Sequence, residues 1–165
     1  MITRSMKKSI LLLAGCALIA SCAIQKKGPT DKLSATTRQL LQQARAQTGD
    51  AAVQSNFLAA ARMIQNENIN AAQQQINKLK QQPFNAAQRA QLHLLRGELL
   101  LQKGKPYEAL RQFNHVKHIA LLSLPLQQRY YSSTSQAYLR NNQTAQSLIM
   151  RLLNPSQHRT KNQLQ

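Results

Sequence analysis

Residues 94 to 116 read LLRGELLLQKGKPYEALRQFNHV, and this stretch decides the fold. Two runs of strong helix formers flank a Gly-Lys-Pro break at residues 104 to 106, which predicts two helices joined by a tight turn. Proline is tolerated in the first turn of a helix, where its missing N–H has no partner to lose, so we expect the second helix to begin at Pro106. The stretch therefore predicts a helical hairpin.

The same hairpin carries the spacing of a tetratricopeptide repeat, in which small residues let paired helices approach and larger ones fill the space between neighbouring pairs. The small, small, large and apolar positions are Gly97, Ala109, Phe113 and Val116. An earlier copy of the spacing consists of Ala60, Ala72, Ile76 and Leu79. A weaker third copy is predicted to end at Ala145, Ile149 and Leu152, after a shorter inter-helix turn.

Outside the hairpin the chain keeps the same helix-forming composition. Ala, Leu, Gln and Arg dominate, Gly and Pro are few, and no alternating pattern of useful length suggests a strand. Breaks and caps, including Ser34 and Asn85, predict seven helices over residues 34–49, 50–68, 69–83, 85–104, 105–119, 125–142 and 143–155. The predicted fold is all-α, a tetratricopeptide-like stack of helix hairpins over residues 34–154. An ordinary bundle with Ala-rich interfaces is the alternative.

The N-terminal region has the pattern of a secretion signal. Basic residues (Arg4, Lys7 and Lys8) precede an apolar run from Ile10 to Ala20. That run has about 11 residues, whereas a membrane-spanning helix needs roughly 20. A short apolar run followed by small residues and a cysteine resembles a bacterial lipoprotein signal, whose cysteine is lipidated and becomes the mature N-terminus.

Two cysteines fit this role. IASC, ending at Cys22, leaves the fuller apolar run and is the predicted lipidation site, while LAGC, ending at Cys16, is the alternative. Burial of both thiols in an N-terminal helix is a third interpretation. We predict a signal peptide over residues 1–21 and a flexible tether over 22–33. The residue after Cys22 is Ala23 rather than Asp, which in lipoproteins favours the outer membrane over the inner membrane.

The positive charge belongs to the mature chain. The full chain has a net charge of +17, and removing the three basic residues of the signal leaves 19 Lys and Arg against 5 Asp and Glu, or +14. Such an excess often indicates nucleic-acid binding. A lipoprotein of the periplasm meets no nucleic acid, so anionic lipids, lipopolysaccharide phosphates, peptidoglycan carboxylates or an acidic protein face are the expected counterions. A solvated basic surface without a specific partner is the alternative.

No catalytic pattern is found in the sequence. The acidic residues are dispersed, and Glu108 is expected to pair with Arg111 on the helix surface. His115 and His118 could share a helix face, but zinc sites need three or four ligands and no third ligand is near. The chain is predicted to have no enzymatic activity, metal or cofactor.

Residues 56 to 116 resemble the N-terminal helical-repeat domain of the penicillin-binding protein activator LpoA family, including the start of the fourth helix at 85–89. The resemblance covers residues 34–154. It implies an outer-membrane-anchored factor that crosses the peptidoglycan and stimulates a class A penicillin-binding protein. In that family a large C-terminal domain follows and contacts the synthase, whereas this chain ends at Gln165. We therefore expect a truncated or split relative that keeps the anchor and the helical part.

The function predicted from these features is regulation of peptidoglycan synthesis by binding a class A penicillin-binding protein or peptidoglycan. The alternative is a structural or assembly lipoprotein, either pilotin-like or an accessory factor for outer-membrane protein insertion. Tyr130, Tyr131 and Tyr138 are candidate partner anchors, although packing within the sixth helix is the favoured interpretation. The polar tail over residues 155–165 is expected to be disordered.

Overall fold

A computed structural model describes residues 33–156, and within this range the chain consists of helices and the turns that connect them, without strands. The helices are α1 (Ala35–Ala46), α2 (Gly49–Gln65), α3 (Ile69–Leu79), α4 (Ala86–Gln102), α5 (Pro106–Phe113), a 3₁₀-helix (Ile119–Leu121), α6 (Leu124–Arg140) and α7 (Thr144–Leu152). The predicted all-α class is confirmed. The predicted signal peptide, both cysteines, all but the last residue of the tether, and the tail from residue 157 lie outside the described residues.

Several predicted helix ends are present. The Ser34 side chain accepts a hydrogen bond from the Thr37 N–H, Asn85 opens α4, and Pro106 opens α5. The fifth helix is shorter than predicted, because it ends at Phe113 rather than near residue 119. Asn, His and Val follow at residues 114–116, all weak helix formers, and turn-type hydrogen bonds replace the helical ones there.

The three hairpins, α2–α3, α4–α5 and α6–α7, share one turn. Each turn has three residues, and the central residue has a positive φ: 59° at Glu67, 72° at Gly104 and 59° at Asn142. In each, the N–H of the last turn residue donates to a carbonyl five residues earlier, as in a Schellman motif. The prediction of a shorter third turn is therefore wrong.

The small-to-large contact of the repeat is present in the second hairpin. A Cβ atom placed on Gly97 would lie only 2.2 Å from Cε1 of Phe113, so the ring occupies the space that any side chain would need. In the first hairpin, Ala60, Ala72 and Ile76 are buried in one apolar cluster. The two predicted repeat units are thus packing units.

The third hairpin is shifted from its predicted register. Its small pair is Ser135 and Ser147, whose hydroxyl oxygens lie 2.9 Å apart at a separation of twelve residues, the same separation as Gly97 and Ala109. Ala145 is exposed, and so are Ile149 and Leu152, so the predicted third copy is wrong by two residues. The physical reason is that the third turn keeps all three residues, so the small residue of α7 lies two positions later in the sequence than predicted.

Two apolar clusters form the core, and α4 belongs to both. Leu92, Leu95 and Leu99 pack with the first hairpin, whereas Leu94 and Leu101 belong to the cluster formed with α5 and α6. The leucine-rich sequence of α4 therefore reflects burial on two sides rather than one. Among residues 33–156, no helix has the length and apolar character required to cross a bilayer.

Candidate interaction groove

The first helices of the three hairpins, α2, α4 and α6, form one face of the stack, which we call the groove. Two cavities open on it. The larger, of about 390 Å³, lies where these helices begin and includes the 3₁₀-helix in its wall. Its lining consists of Asp50, Gln54, Asn85, Ala87, Gln88, Gln91, Leu121, Leu122, Ser123 and Leu126.

A hydrogen-bond network fixes the carboxylate at the rim of the larger cavity. The Gln88 amide donates to Oδ1 of Asp50 at 3.0 Å, which joins α4 to α2. The Gln88 amide oxygen in turn accepts from the Asn85 N–H at 3.0 Å, while the Asn85 side chain accepts from the Gln88 N–H at 2.9 Å. This capping box holds Gln88 in position. Asp50 is exposed and keeps free acceptor capacity for a donor from outside.

The chemistry of the larger cavity differs from that of the whole chain. Its single charged lining residue is the acidic Asp50, although the chain is strongly basic. Gln54 and Gln91 supply amides that both donate and accept hydrogen bonds, and Leu122 and Leu126 supply apolar wall. Such a surface suits uncharged polar groups, including peptide amides and sugar acetamido groups, together with a cationic group at Asp50.

The smaller cavity, of about 130 Å³, contains an ion pair between α4 and α6. The Arg129 guanidinium donates to both carboxylate oxygens of Glu98, and Ser133 Oγ donates to Oε1 at 3.3 Å. Burial raises the pKa of Glu98 above its usual value, and the Arg129 guanidinium opposes that rise. Glu98 is largely buried and Arg129 is partly exposed at the edge of the groove. The pair therefore links the second and third hairpins.

The histidines considered as metal ligands do not converge. His115 stacks on His93 with ring centroids 5.0 Å apart, and the end of α5 at Phe113 removes the helix that would have aligned it with His118. Burial lowers the pKa of His93, while a hydrogen bond to the Gln112 amide oxygen acts in the opposite direction. No three His, Cys, Asp or Glu side chains between residues 33 and 156 lie close enough together to bind a metal ion.

The tyrosines of α6 are packing residues in the described fold. Tyr130 is buried and packs edge-on against Phe113, with ring centroids 6.1 Å apart. Tyr131 and Tyr138 pack against the same cluster. Burial raises the pKa of the Tyr130 phenol, which favours its neutral form. Tyr107 is the exposed tyrosine, and nothing in its sequence context singled it out.

Two groove features escaped the sequence analysis. Arg129 has no local pattern that links it to Glu98, 31 residues away. Outside the groove, Glu108 pairs with Lys105 at 3.1 Å rather than with the predicted Arg111. Gln88 does have a sequence signal, because an Asn followed three residues later by Gln is typical of a helix cap. That signal finds the cap but not the contact with Asp50.

A comparison with protein families identifies the family to which the chain belongs. The family model described as "LppC putative lipoprotein" matches residues 30–163, most of the chain. This chain belongs to the LppC lipoprotein family. The N-terminal region of LpoA is of the same family, so the resemblance found in the sequence is confirmed. No curated protein and no solved structure gives a significant match to the chain.

Membership of the LppC family indicates a lipoprotein with a membrane-anchored location in the cell envelope. The match begins at residue 30, beyond both cysteines. The choice of Cys22 over Cys16 as the lipidated residue therefore stays a prediction.

Proposed function

We propose that this LppC-family protein is a non-catalytic scaffold of the outer membrane that faces the periplasm and regulates peptidoglycan synthesis. Its groove binds a class A penicillin-binding protein or the peptidoglycan itself. The observation that carries the proposal is the larger cavity, where the first two hairpins present amides and one fixed carboxylate and the start of α6 adds apolar wall on a common face. The kinship with the N-terminal part of LpoA supports the choice of partner.

The chemistry of the groove fits both proposed partners. Peptidoglycan carries acetamido and peptide groups that pair with glutamine amides, and its amino groups or a lysine of a protein partner could neutralise Asp50. Binding through a polar groove of this kind depends on hydrogen-bond geometry, because buried amides left without a partner weaken the complex. Substitution of Gln54, an exposed lining amide outside the capping box, should therefore weaken binding without affecting the helical stack.

The binding test uses the intact lipoprotein purified in detergent. Gln54→Leu, on the exposed rim of the larger cavity, is compared with Gln74→Leu, on the exposed outer side of α3. We expect Gln54→Leu to weaken binding to a purified class A penicillin-binding protein, or co-sedimentation with purified peptidoglycan, by about tenfold, equivalent to ~1.4 kcal/mol. Gln74→Leu should leave both unchanged. Equal binding by the two variants would contradict a role of the groove in binding.

The choice of partner is tested by capture from envelope extracts with the lipoprotein as bait. Recovery of a class A synthase supports a role in peptidoglycan synthesis. Recovery of secretin or insertion-machinery subunits, with no synthase, would contradict that role and favour the assembly lipoprotein that the sequence left as the alternative.

The anchor is tested separately by substituting each cysteine. Cys22→Ala should release the protein from membranes, whereas Cys16→Ala should leave it bound; the opposite result would move the lipid to Cys16. Because Asp after the lipidated cysteine tends to retain lipoproteins in the inner membrane, Ala23→Asp should shift the protein from the outer to the inner membrane in density-gradient fractions. An unchanged distribution would contradict the proposed sorting.

A further inference from the structure

The outer face of α7 is apolar and exposed. Leu148, Ile149, Leu152 and Leu153 each expose more than half of their surface, at 53%, 52%, 71% and 52%. These four residues, which we call the α7 outer face, point away from Ser147, the residue that contacts α6. Leu139 on α6 is another exposed leucine, at 56%. An apolar surface of this kind on a soluble domain generally marks an interaction site.

Most of the corresponding positions in the other hairpins are polar. When the hairpins are aligned on Ala72, Ala109 and Ser147, Leu148 corresponds to Gln73 and to Leu110, which is buried. The positions of Ile149, Leu152 and Leu153 carry Gln74, Asn77 and Lys78 in the first hairpin and Arg111, Asn114 and His115 in the second. All six of these residues are exposed. The apolar character is therefore not a requirement of the repeat, since the two other hairpins place polar groups on their outer sides.

The charge around α7 has one sign. Glu108 is the last acidic residue of the chain, and everything after it carries only positive charge. The basic residues of this part are Arg111, Lys117, Arg129, Arg140, Arg151, Arg159 and Lys161. Of these, Arg151 is exposed on α7 itself, whereas Arg140, at the end of α6, donates a hydrogen bond to the Leu101 carbonyl of α4 at 2.9 Å. Exposed aliphatic side chains bordered by arginines are typical of helices that lie on anionic membranes.

We propose that the α7 outer face docks onto the surface of a bilayer containing anionic lipids. The exposed aliphatic side chains enter the boundary between head groups and acyl chains, and Arg151 contacts lipid phosphates. A second copy of the chain fits less well, because two strongly cationic surfaces would repel each other. A helix of nine residues also presents only roughly 150 Å² in projection, whereas stable protein interfaces bury about 800 Å² per partner.

The lipid anchor makes such a weak surface effective. Leu33 is the eleventh residue after Cys22, and eleven residues reach at most about 36–40 Å. Packed helices lie about 8–10 Å apart, so the hairpins between α1 and α7 span roughly 30 Å. An anchored chain can therefore place α7 on the membrane that holds its lipid, at the high effective concentration that tethering provides. The groove lies on the opposite side, because the α7 outer face points away from α6.

The test uses the acylated full-length protein reconstituted at low density in vesicles of phosphatidylglycerol and phosphatidylethanolamine or of phosphatidylcholine alone. Amide hydrogen exchange is measured over α7. We expect exchange of residues 148–153 to slow at least fivefold in the anionic vesicles relative to phosphatidylcholine, and this protection to fall in high salt. The double variant Ile149→Asn, Leu152→Asn should lose it, and Leu58→Asn, at an equally exposed leucine of α2, should keep it.

Three results would overturn the proposal. The first is equal exchange in both kinds of vesicle, and the second is protection that persists in the double variant. The third is protection that appears in phosphatidylcholine and grows with protein density, which would assign the α7 outer face to a second copy of the chain. Thermal unfolding of both variants, followed by circular dichroism, verifies that the surface substitutions leave the fold intact. Binding at the groove is measured on different residues, so the proposed function and this inference can fail independently.

Discussion

The second and third hairpins have the same turn and the same small-residue contact, yet they distribute their apolar residues in opposite ways. In the second hairpin the large repeat positions are Phe113 and Val116, both buried in the cluster shared with α6. The equivalent positions after Ser147 are Arg151 and Asn154. Turn geometry and small residues are therefore sufficient to form a hairpin, whereas the larger side chains determine what its second helix packs against.

The largest difference between the hairpins should follow removal of the large repeat residue. Phe113→Ala empties a fully buried site and should lower the free energy of unfolding by about 3–5 kcal/mol. Arg151→Ala, at the equivalent exposed position of α7, should change it by less than ~0.5 kcal/mol. Urea unfolding followed by circular dichroism measures both values. Similar losses in the two variants would show that α7 packs like α5.

One added methyl group should disrupt the close approach of α4 and α5 in the second hairpin. Gly97→Ala places a Cβ against the Phe113 ring and should cost about 1–3 kcal/mol through overpacking. Because a smaller side chain relieves the clash, Gly97→Ala should cost less in a Phe113→Leu background than in the native one. The coupling is measured by a double-mutant cycle. Additive effects would mean that the strain arises elsewhere.

The ion pair between the two hairpins should give a pH-dependent effect. Arg129→Met removes the cation that stabilises the Glu98 carboxylate, so burial raises the Glu98 pKa further. A carboxyl group with a raised folded pKa contributes stability at low pH that is lost as pH rises through that pKa. The deficit of Arg129→Met relative to the native chain should therefore be about 1–3 kcal/mol at pH 7 and smaller near pH 4.

The control for this pH dependence is Glu98→Gln combined with Arg129→Met. Gln cannot ionise, so the difference in stability between Glu98→Gln and the double variant should not vary with pH. Urea midpoints between pH 4 and pH 8 provide the measurement. A deficit of Arg129→Met that grows on acidification would reverse the assigned role of Glu98.

The smallest effects are expected in the shared turn. Glu67 has a left-handed φ that glycine adopts without strain, so Glu67→Gly should raise the free energy of unfolding by about 0.5–1 kcal/mol. Asn tolerates this conformation better than Glu, and Asn142→Gly should change stability less. Thermal unfolding of the two variants under identical conditions checks the order. A larger gain at Asn142 would indicate that its turn is strained for another reason.

Most of the fold could be predicted because its signals are local. The Ser34 and Asn85 caps, Pro106 and the Gly97 spacing are each read within a few residues, and all are present in the structure. The third hairpin was misaligned because Ile149 and Leu152 look like core residues, and a sequence pattern does not distinguish an apolar side chain that is buried from one that is exposed for binding.

The groove was harder to predict than the fold. Its contacts join residues far apart in sequence: Gln88 meets Asp50 at a separation of 38 residues, and Arg129 meets Glu98 at 31. Such pairs depend on how successive hairpins are rotated against one another, which the spacing of small residues does not specify. The net charge was misleading in the same way, since it describes the outer surface of the stack and not the lining of the larger cavity.

The burial of α4 on two sides has a consequence for how the molecule unfolds. In an ordinary array of repeats, each unit contacts only its neighbours and the ends can unravel first. Here loss of the first hairpin exposes Leu92, Leu95 and Leu99, loss of α6 opens the cluster that holds Leu94 and Leu101, and either change weakens the helix that supports the other hairpin. The stack should therefore melt as one cooperative unit, with α4 retaining the amide protons that exchange last.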